Sequence, residues 1–307
     1  MRNATVRQLQ VFAEAARTGS FARVAERLHV TPAAVSFQMR QLESMVGLDL
    51  FERTGKRVIL TEPGETLLAY ARTVLQALQD ADRALMAFKG LTVGRITIGI
   101  VSTAKYVVPH MLARFRSEHP GIEMHLRDGN RREIHAAVDK GEVDLAVTGR
   151  PPEGMNVIAT AFAAHPSVLV AAADHPLGAH AALPASVLVG ESFIAREEGA
   201  GTRQLMESYF RAAGLVPRVT MTSSSNETIK QAVIAGMGIA LLSRHTIGLE
   251  LRLGLLRTLP AEGFPLMREW FVVHRAGMPL LPIHARLRDF LTAHGASIIA
   301  EIEGPAP

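Results

Sequence analysis

The sequence of 307 residues contains no cysteine and no long apolar run. The lack of cysteine excludes disulfide scaffolds, thiolate nucleophiles, iron–sulfur clusters and cysteine-ligated zinc, and it is typical of a reducing compartment. No apolar stretch approaches the roughly 18 residues that a transmembrane helix needs, and residues 1–10 are polar, unlike a secretory signal. We therefore expect a cytoplasmic protein without a membrane partner, built from two or three compact units.

Sequence patterns of catalysis are also missing. The 12 histidines form no His-Glu-x-x-His pair, no Gly-x-Ser-x-Gly elbow is present, and spacing alone pairs no two carboxylates. The string Gly199-Ala200-Gly201-Thr202-Arg203 lacks the rest of a dinucleotide-binding pattern and the phosphate-loop lysine. We therefore predict a protein that is not an enzyme and that has no catalytic residues, no metal site and no cofactor.

Positive charge is concentrated at the N-terminal end of the chain. The whole sequence has 33 Lys and Arg against 29 Asp and Glu, a net charge of +4. Residues 1–62, here called the head, hold nine basic and six acidic residues, whereas the other 245 residues hold 24 and 23. A basic head on a nearly neutral body indicates that the head binds a polyanion.

Short helical patterns make up most of the head. The first predicted helix ends at Gly19, and its apolar face consists of Val6, Leu9, Phe12, Ala13 and Ala16. Ser20 is expected to cap a second helix at Phe21–Leu28, and Thr31, with Pro32 at the first helical position, opens a third. Two short helices joined by a turn of about three to four residues have the spacing of a helix-turn-helix.

The third helix and the segment after it carry the candidate DNA-binding residues. The start of a recognition helix meets base edges in the major groove. Residues 51–60 predict two short strands around a turn at Thr54-Gly55, a basic wing suited to phosphates or to the minor groove. The candidates on these two elements are Thr31, Ala33, Ser36, Phe37, Arg40, Arg53, Lys56 and Arg57. The alternative is three packed helices and a solvated hairpin with no special role.

Residues 63–89 form one uninterrupted helical pattern. Apolar residues recur at alternating spacings of four and three, as in a heptad repeat, at Leu67, Ala71, Val74, Leu78, Ala81, Leu85 and Phe88. This seam packs either on the core of its own chain or against a second chain, and the length of the helix favours the second arrangement. We predict a linker helix over 63–91 that makes a homodimer. Its two recognition helices would bind an interrupted inverted repeat in double-stranded DNA, with groove centres about 34 Å apart or a multiple of that distance.

From about Thr92 onward, short β-like runs alternate with helical patterns, which predicts an α/β domain with a parallel sheet. Polar clusters follow five predicted strands, at the edge where open α/β sheets bind ligands and where helix N-termini offer N–H groups to anions. The candidate ligands of a small, preferably phosphorylated anion are Ser102, Thr103, Lys105, Asn130, Arg131, Thr148, Arg150, Thr202, Arg203 and Asn226. Any one of these cations alone is better explained as a solvated surface charge, so the prediction rests on their shared position.

The head resembles the winged helix-turn-helix of LysR-type transcriptional regulators. The resemblance covers residues 1–62 in order and is carried by Leu9-Gln10-Val11-Phe12, Gly19-Ser20-Phe21, Ala25-Glu26-Arg27-Leu28, Thr31-Pro32-Ala33-Ala34-Val35-Ser36, Gln41-Leu42-Glu43, Leu50-Phe51-Glu52-Arg53 and Leu60-Thr61-Glu62-Pro63-Gly64. Many members carry Arg where this chain has Phe37 and Gln-Pro where it has Pro32-Ala33, so their base contacts do not carry over to positions 32 and 37. Phe37 is left either to contact a thymine methyl group or to pack.

The rest of the chain resembles a subgroup of the same family, the regulators of Calvin-cycle, carbon-dioxide-fixation operons. The strings that carry this resemblance are Ser102-Thr103-Ala104-Lys105-Tyr106, Gly129-Asn130-Arg131, Gly149-Arg150-Pro151-Pro152, Gly199-Ala200-Gly201-Thr202-Arg203 and Ser225-Asn226-Glu227-Thr228-Ile229-Lys230-Gln231-Ala232-Val233. The resemblance implies an all-α winged helix-turn-helix with a long linker helix, followed by a periplasmic-binding-protein-like effector domain at 92–307. It further implies two subdomains joined by two crossing strands, subdomain I at about 92–162 and 267–300 and subdomain II at about 163–266.

This resemblance also implies a function. The chain is expected to be a homotetramer that activates carbon-fixation genes together with RNA polymerase when a sugar phosphate or NADPH enters the cleft between the subdomains. One alternative is a LysR-type regulator of another pathway that senses an aromatic or amino-acid carboxylate. An alternative from another class is a solute-binding or enzymatic α/β domain with a DNA-binding head.

Overall fold

The computed structural model describes residues 4–54, 57–88, 94–277 and 280–304. The chain divides into two compact units, residues 1–90 and 91–307. Among the described residues, no helix is long and apolar enough to cross a membrane.

The head has the three helices that its sequence predicts. They are α1 at Val6–Thr18, α2 at Phe21–Leu28 and α3 at Pro32–Val46. The first helix ends at Gly19, whose φ of 61° lies in the left-handed region that favours glycine. At the start of α3, the Thr31 hydroxyl accepts a hydrogen bond from the Ala34 N–H at 3.2 Å, as an N-cap residue should. Ser20 stands at the N-cap of α2 but makes no side-chain capping bond.

The core of the head differs from the predicted apolar face at the first turn of α1. Leu9 and Phe12 are buried as expected, but the prediction is wrong for Val6, which is 43% exposed. Gln8 takes the inward position instead, because its side chain accepts a hydrogen bond from the Thr5 N–H and donates one to Gln41. A buried amide is tolerated there because these bonds satisfy it.

The predicted wing consists of β1 at Phe51–Thr54 and β2 at Arg57–Leu60, which pair antiparallel. The long helix α4 follows at Glu62–Phe88. Its first turn passes so close to β1 that a Cβ on Gly64 would lie 2.2 Å from the Leu50 carbonyl oxygen. Only glycine fits at this position, which gives the Leu60–Gly64 motif a steric explanation.

The second unit contains the remaining elements. Its strands are β3 at Gly94–Val101, β4 at Ile122–Gly129, β5 at Leu145–Thr148, β6 at Val157–Ala164, β7 at Ser167–Ala172, β8 at Ser192–Arg196, β9 at Arg218–Ser223, β10 at Ala240–Ser243, β11 at Leu256–Thr258 and β12 at Glu269–Arg275. Its helices are α5 at Val108–Glu118, α6 at Arg131–Asp139, α7 at Ala185–Leu188, α8 at Gly201–Ala212, α9 at Asn226–Ile234, α10 at Gly248–Arg252 and α11 at Pro282–Glu303.

These elements form two lobes, each with its own sheet. The first lobe has the strand order β4-β3-β5-β12-β6, packed by α5, α6 and α11. The second lobe combines the order β10-β7-β11 with the pair β8-β9, and an isolated bridge from Phe193 to Ile239 links the two parts. The prediction of a parallel sheet is wrong in part, since β12 runs antiparallel to β5 and β6, and β7 runs antiparallel to β10 and β11.

The reversal of direction follows from how the chain passes between the lobes. It leaves the first lobe through residues 164–167 and returns through residues 266–269, here called the crossover segments. The two segments pair with each other, and the His165 N–H donates to the Arg268 carbonyl at 2.7 Å while the Ser167 N–H donates to the Leu266 carbonyl at 3.0 Å. A strand that re-enters the first sheet along this path must run opposite to the parallel strands already there.

Candidate functional site

A narrow cavity lies between the lobes, at the ends of β3 and β5 and at the start of α8. Five of the predicted ligand residues line it: Ser102, Thr103, Arg131, Thr148 and Thr202. Arg196 and Arg268 line it as well, although neither is among the ligand residues predicted from the sequence. The lining contains three guanidinium groups and no carboxylate, which suits an anion.

A second, open cavity of about 1310 Å³ adjoins the first and shares Ser102 and Arg196 with it. The predicted residues Lys105, Asn130 and Asn226 lie here. Their polar groups are already engaged. Lys105 pairs with Asp128 at 2.5 Å, the Asn130 amide oxygen caps α6 by accepting from the Glu133 N–H, and the Asn226 amide oxygen accepts from Arg196.

Arg150 and Arg203 are not among the residues that line either cavity. The Arg150 guanidinium pairs with Glu153 three residues later, and the Arg203 Nε pairs with Glu207 Oε1 at 2.5 Å. Both arginines lie after strands, as predicted from the sequence, but their guanidinium groups pair with carboxylates three and four residues later in the chain.

Arg196 joins the two lobes. It ends β8 with 3% of its surface exposed, and its Nε and Nη2 donate to the two carboxylate oxygens of Glu197 at 2.8 and 3.0 Å. Its Nη1 donates to the Asn226 amide oxygen at 2.7 Å in the second lobe and to the Ser102 hydroxyl at 2.9 Å in the first. The buried charge is therefore paired, and each of its three nitrogens donates at least one hydrogen bond, as burial requires.

Arg268 has a different environment, because no carboxylate pairs with it among the described residues. Its side chain extends from the crossover segment at residues 266–269, and its Nη2 donates to the Ser167 hydroxyl at 3.3 Å. Its buried Nε has no hydrogen-bond partner in the described part of the chain. Burial, with a further contribution from repulsion by Arg131, lowers the pKa of Arg268 to about 10. Burial and the charge of Arg150 lower the pKa of Arg131 as well. An anion in the cavity would relieve this repulsion.

One polar group of the cavity is unused. The Thr202 hydroxyl, at the start of α8, is buried without a hydrogen-bond partner in the described part of the chain. Gly149, which also lines the cavity, lies against the ring of His165, where a Cβ would come within 2.7 Å of Nδ1. The His165 ring is stacked on Trp270 with a centroid distance of 3.7 Å, and burial lowers its pKa well below the usual value, so the ring behind Gly149 is neutral.

A further contact between the lobes lies beside the open cavity. The Tyr106 hydroxyl of the first lobe donates to the carboxylate of Glu227 in the second. Glu227 also pairs with the buried Lys230 at 2.9 Å, and Lys230 pairs with Glu250 at 2.8 Å. The Tyr106–Glu227 contact joins the lobes independently of the residues that line the smaller cavity, and the two ion pairs of Lys230 hold Glu227 in place within the second lobe.

The head presents the start of α3 to solvent. Of the predicted residues, Thr31, Ala33, Phe37 and Arg40 are exposed and Ser36 is half-buried. No exposed residue of α3 is acidic, and the one acidic residue, Glu43, accepts hydrogen bonds from the backbone N–H groups of Leu50 and Phe51. The surface is thus free of groups that would repel DNA phosphates. Arg53 and Arg57 lie on the paired strands of the wing, but their side chains, and Lys56 altogether, lie outside the described residues.

The predicted seam of α4 divides into two parts. Leu67 and Ala71 are buried in the core of the head. At these two residues the helix packs on its own chain, which is the first of the two predicted arrangements. Further along, apolar residues of the seam remain exposed, by 45% at Val74, 41% at Leu78 and 63% at Leu85. The Phe88 side chain lies outside the described residues. This exposed stretch has the pattern that a second chain would cover.

Comparison with known proteins identifies both units. The family description "Bacterial regulatory helix-turn-helix protein, lysR family" matches residues 6–65, and "LysR substrate binding domain" matches residues 89–296. The chain belongs to the LysR family. The predicted family and the predicted fold class, a winged helix-turn-helix with a linker helix and a two-lobed α/β domain, are therefore confirmed.

The LysR-family chain is similar over nearly its whole length to regulators of carbon fixation. It is 44% identical to the HTH-type transcriptional regulator CfxR of Cupriavidus necator over 304 residues, which cover 99% of this chain and 96% of the relative. It is 42% identical to the RuBisCO operon transcriptional regulator of Allochromatium vinosum over 292 residues, 95% and 97% of the two chains. These relatives confirm the predicted subgroup.

A solved structure matches the two-lobed unit. The regulatory domain of CcmR from Synechocystis PCC6803, in complex with 2-PG, is 37% identical and superposes with a TM-score of 0.63, covering 65% of this chain and 96% of that one.

Proposed function

We propose that this LysR-family chain is a metabolite-responsive activator of carbon-fixation genes and not an enzyme, and that it acts on DNA in the cytoplasm. Residues 1–62 bind an interrupted inverted repeat, residues 63–91 form the dimer, and residues 92–307 bind the effector. The proposal is supported by 44% identity to the transcriptional regulator CfxR and by 42% identity to a RuBisCO operon transcriptional regulator, each over nearly the whole chain.

The observation that carries the effector proposal is the pair Arg131 and Arg268 at one cavity. Neither has a carboxylate partner among the described residues, repulsion between them contributes to the low pKa of Arg268, and the nearby Thr202 hydroxyl is unused. A phosphate or carboxylate placed there would accept charge-assisted hydrogen bonds from both guanidinium groups and from the helix N-terminus.

The charge of the smaller cavity favours a small anionic effector. Three guanidinium groups line it, and no carboxylate is among its lining residues. It suits a phosphorylated acid such as 2-phosphoglycolate, the ligand of the CcmR domain, or a small sugar phosphate. NADPH would also have to occupy the adjoining open cavity.

The dimer proposal is supported by the exposed seam of α4, from Val74 to Leu85. By resemblance to the family, two such dimers form a homotetramer that contacts RNA polymerase. Effector and DNA are then coupled thermodynamically. An effector changes DNA binding only as far as it prefers one of two states of the protein, and DNA must change effector affinity by the same factor.

Isothermal titration of the full-length protein tests the effector class. We expect heat of binding with 2-phosphoglycolate, ribulose bisphosphate or phosphoenolpyruvate, weaker or no binding of NADPH, and none with benzoate. Binding of benzoate alone would overturn the carbon-fixation assignment and support a regulator that senses carboxylates. Footprinting of the adjacent promoter with and without the bound metabolite then tests the DNA response, while turnover of the metabolite would support an enzymatic domain.

A further inference from the structure

Phe37 is the one large aromatic side chain on the exposed face of α3, and 55% of its surface is accessible. Other phenylalanines of the head pack together. The rings of Phe12 and Phe21 lie 5.3 and 5.6 Å from the ring of Phe51. Packing of the head therefore does not explain an aromatic ring at position 37.

The surroundings of Phe37 are those of a surface that meets nucleic acid. Ala33 precedes it by one helical turn and Arg40 follows it by nearly one, so the three share a face of α3. All three are exposed. Phe37 and Arg40 also line an open depression of about 1080 Å³ between α1 and α3, together with Gln8 and Gln41. The ring is thus flanked by a cation and by amides, with no carboxylate among the lining residues.

We propose that Phe37 recognises thymine by covering its C5 methyl group in the major groove. The inference rests on the proposed DNA-binding function of α3. A phenyl ring has no hydrogen-bond donor or acceptor, so it cannot distinguish the polar edges of bases. The thymine methyl is the one apolar group that the major groove displays, and apolar side chains recognise it by contact. Arg40, on the same face, is free to bind a phosphate or a guanine edge.

The test removes only the methyl group. In duplexes of the footprinted promoter, each thymine of a half-site is replaced in turn by deoxyuridine, and binding of the full-length protein is measured by fluorescence anisotropy at constant salt. Burial of one methyl corresponds to about a four-fold change in affinity. We expect one thymine in each half-site at which the replacement weakens binding by about this factor.

Variants assign the effect to the ring. Phe37→Ala is expected to bind the unmodified duplex more weakly and to lose the difference between thymine and uracil at that site, while Phe37→Leu keeps part of it. Leu48→Ala is the matched control, because Leu48 follows α3 and is 53% exposed; it should retain the full difference. Equal binding of all duplexes by the unaltered protein, or a difference that persists in Phe37→Ala, would overturn the inference. Absence of salt-dependent promoter binding would instead overturn the proposed function.

Discussion

Arg196 of the second lobe donates a hydrogen bond to the Ser102 hydroxyl of the first lobe, with 2.9 Å between Nη1 and Oγ. Both residues line the smaller cavity. One contact that joins the lobes is therefore made by the groups that an anion in the cavity would approach. Because Arg196 is paired with Glu197, its charge stays compensated whether or not the Ser102 contact is made.

Ser102→Ala should weaken the closed state of the lobes without unfolding them. Arg196 Nη1 keeps its bond to the Asn226 amide oxygen at 2.7 Å, so the expected loss is that of one hydrogen bond, about 0.5–1.5 kcal/mol. Hydrogen exchange should increase in residues 102–106 and effector affinity should fall about two- to ten-fold. Ser117→Ala, which removes a hydroxyl from the exposed end of α5, is the control; equal behaviour of the two variants would argue against a closing role for the contact.

Arg268→Gln should abolish most effector binding while promoter binding persists. The substitution removes a positive charge that lacks a carboxylate partner among the described residues, and with it a charge-assisted hydrogen bond to the ligand. The expected change, about 1.5–3 kcal/mol, is roughly a 10- to 100-fold weaker affinity for 2-phosphoglycolate in isothermal titration. Arg211→Gln, at the exposed end of α8, should bind normally. Unchanged affinity in Arg268→Gln would place the anion elsewhere.

His135 should report on the charge of the cavity. Burial, and then repulsion from Arg131, lower its pKa from 6.5 to about 4, and an anion beside Arg131 should raise the pKa again. The imidazole resonance of His135, assigned with His135→Gln, can be titrated by NMR with and without 2-phosphoglycolate. An identical pKa in the two titrations would contradict the placement of the anion next to Arg131.

The same histidine makes stability depend on pH. In the unfolded chain His135 takes up its proton near pH 6.5, whereas in the folded protein it does so only near pH 4. The unfolded state therefore binds more protons between these values, and the free energy of unfolding should fall as pH is lowered from about 6.5 towards 4. Urea unfolding at pH 7 and pH 5 should show a smaller difference in His135→Gln than in the unaltered protein.

Leu78→Asp should dissociate the dimer that we propose. Leu78 lies on the exposed part of the α4 seam, with 41% of its surface accessible, and a carboxylate there would be buried against a second chain without a partner. Sedimentation equilibrium should show a monomer at micromolar concentrations, and promoter affinity should fall at least ten-fold. Thr73→Asp introduces the same charge on α4 at an exposed position outside the seam and should remain dimeric.

Arg53→Ala should weaken DNA binding at all sequences alike. Arg53 lies on β1 opposite Val58 of β2, which places it on the wing, where a cation meets the phosphate backbone or the minor groove. The slope of log affinity against log salt should become shallower by about one unit. A loss confined to particular base substitutions would indicate a base contact instead, and unchanged binding would remove the wing from the DNA interface.

The position of the cavity proposed for the effector could be predicted from the sequence, because polar clusters after parallel strands meet at one edge of a sheet. The identity of its cations could be predicted only in part. Arg196 ends the buried strand Ser192–Arg196, so its sequence position places it in the strand and not in the polar cluster that follows. The sequence feature that could have indicated a role for Arg196 is an arginine at the last position of an otherwise apolar strand. Arg268 lies on a crossover segment without periodicity, and only the pairing of that segment with His165 and Ser167 brings it to the cavity.

The position of an arginine after a strand also could not show whether its guanidinium pairs with a nearby carboxylate or faces the cavity. Arg150 and Arg203 have the predicted positions, but carboxylates three and four residues later pair with them. Spacings of this kind are visible in the sequence and argue for a helix-surface or turn ion pair. The ends of α1 and α3 were more predictable, since Thr31 caps the start of α3 and the left-handed glycines Gly19 and Gly47 end α1 and α3.

The order of the strands determines when each part of the chain can fold. Every strand of the second lobe lies within residues 167–258, whereas β12, a central strand of the first lobe, comes only at Glu269–Arg275. On the ribosome, the head and the second lobe are complete before the first sheet can close. A nascent chain that stops near residue 258 exposes the edges of β5 and β6 that β12 should pair, and open strand edges promote aggregation. Synthesis of β12, at Glu269–Arg275, is therefore the step that covers these strand edges and converts an aggregation-prone intermediate into the folded protein.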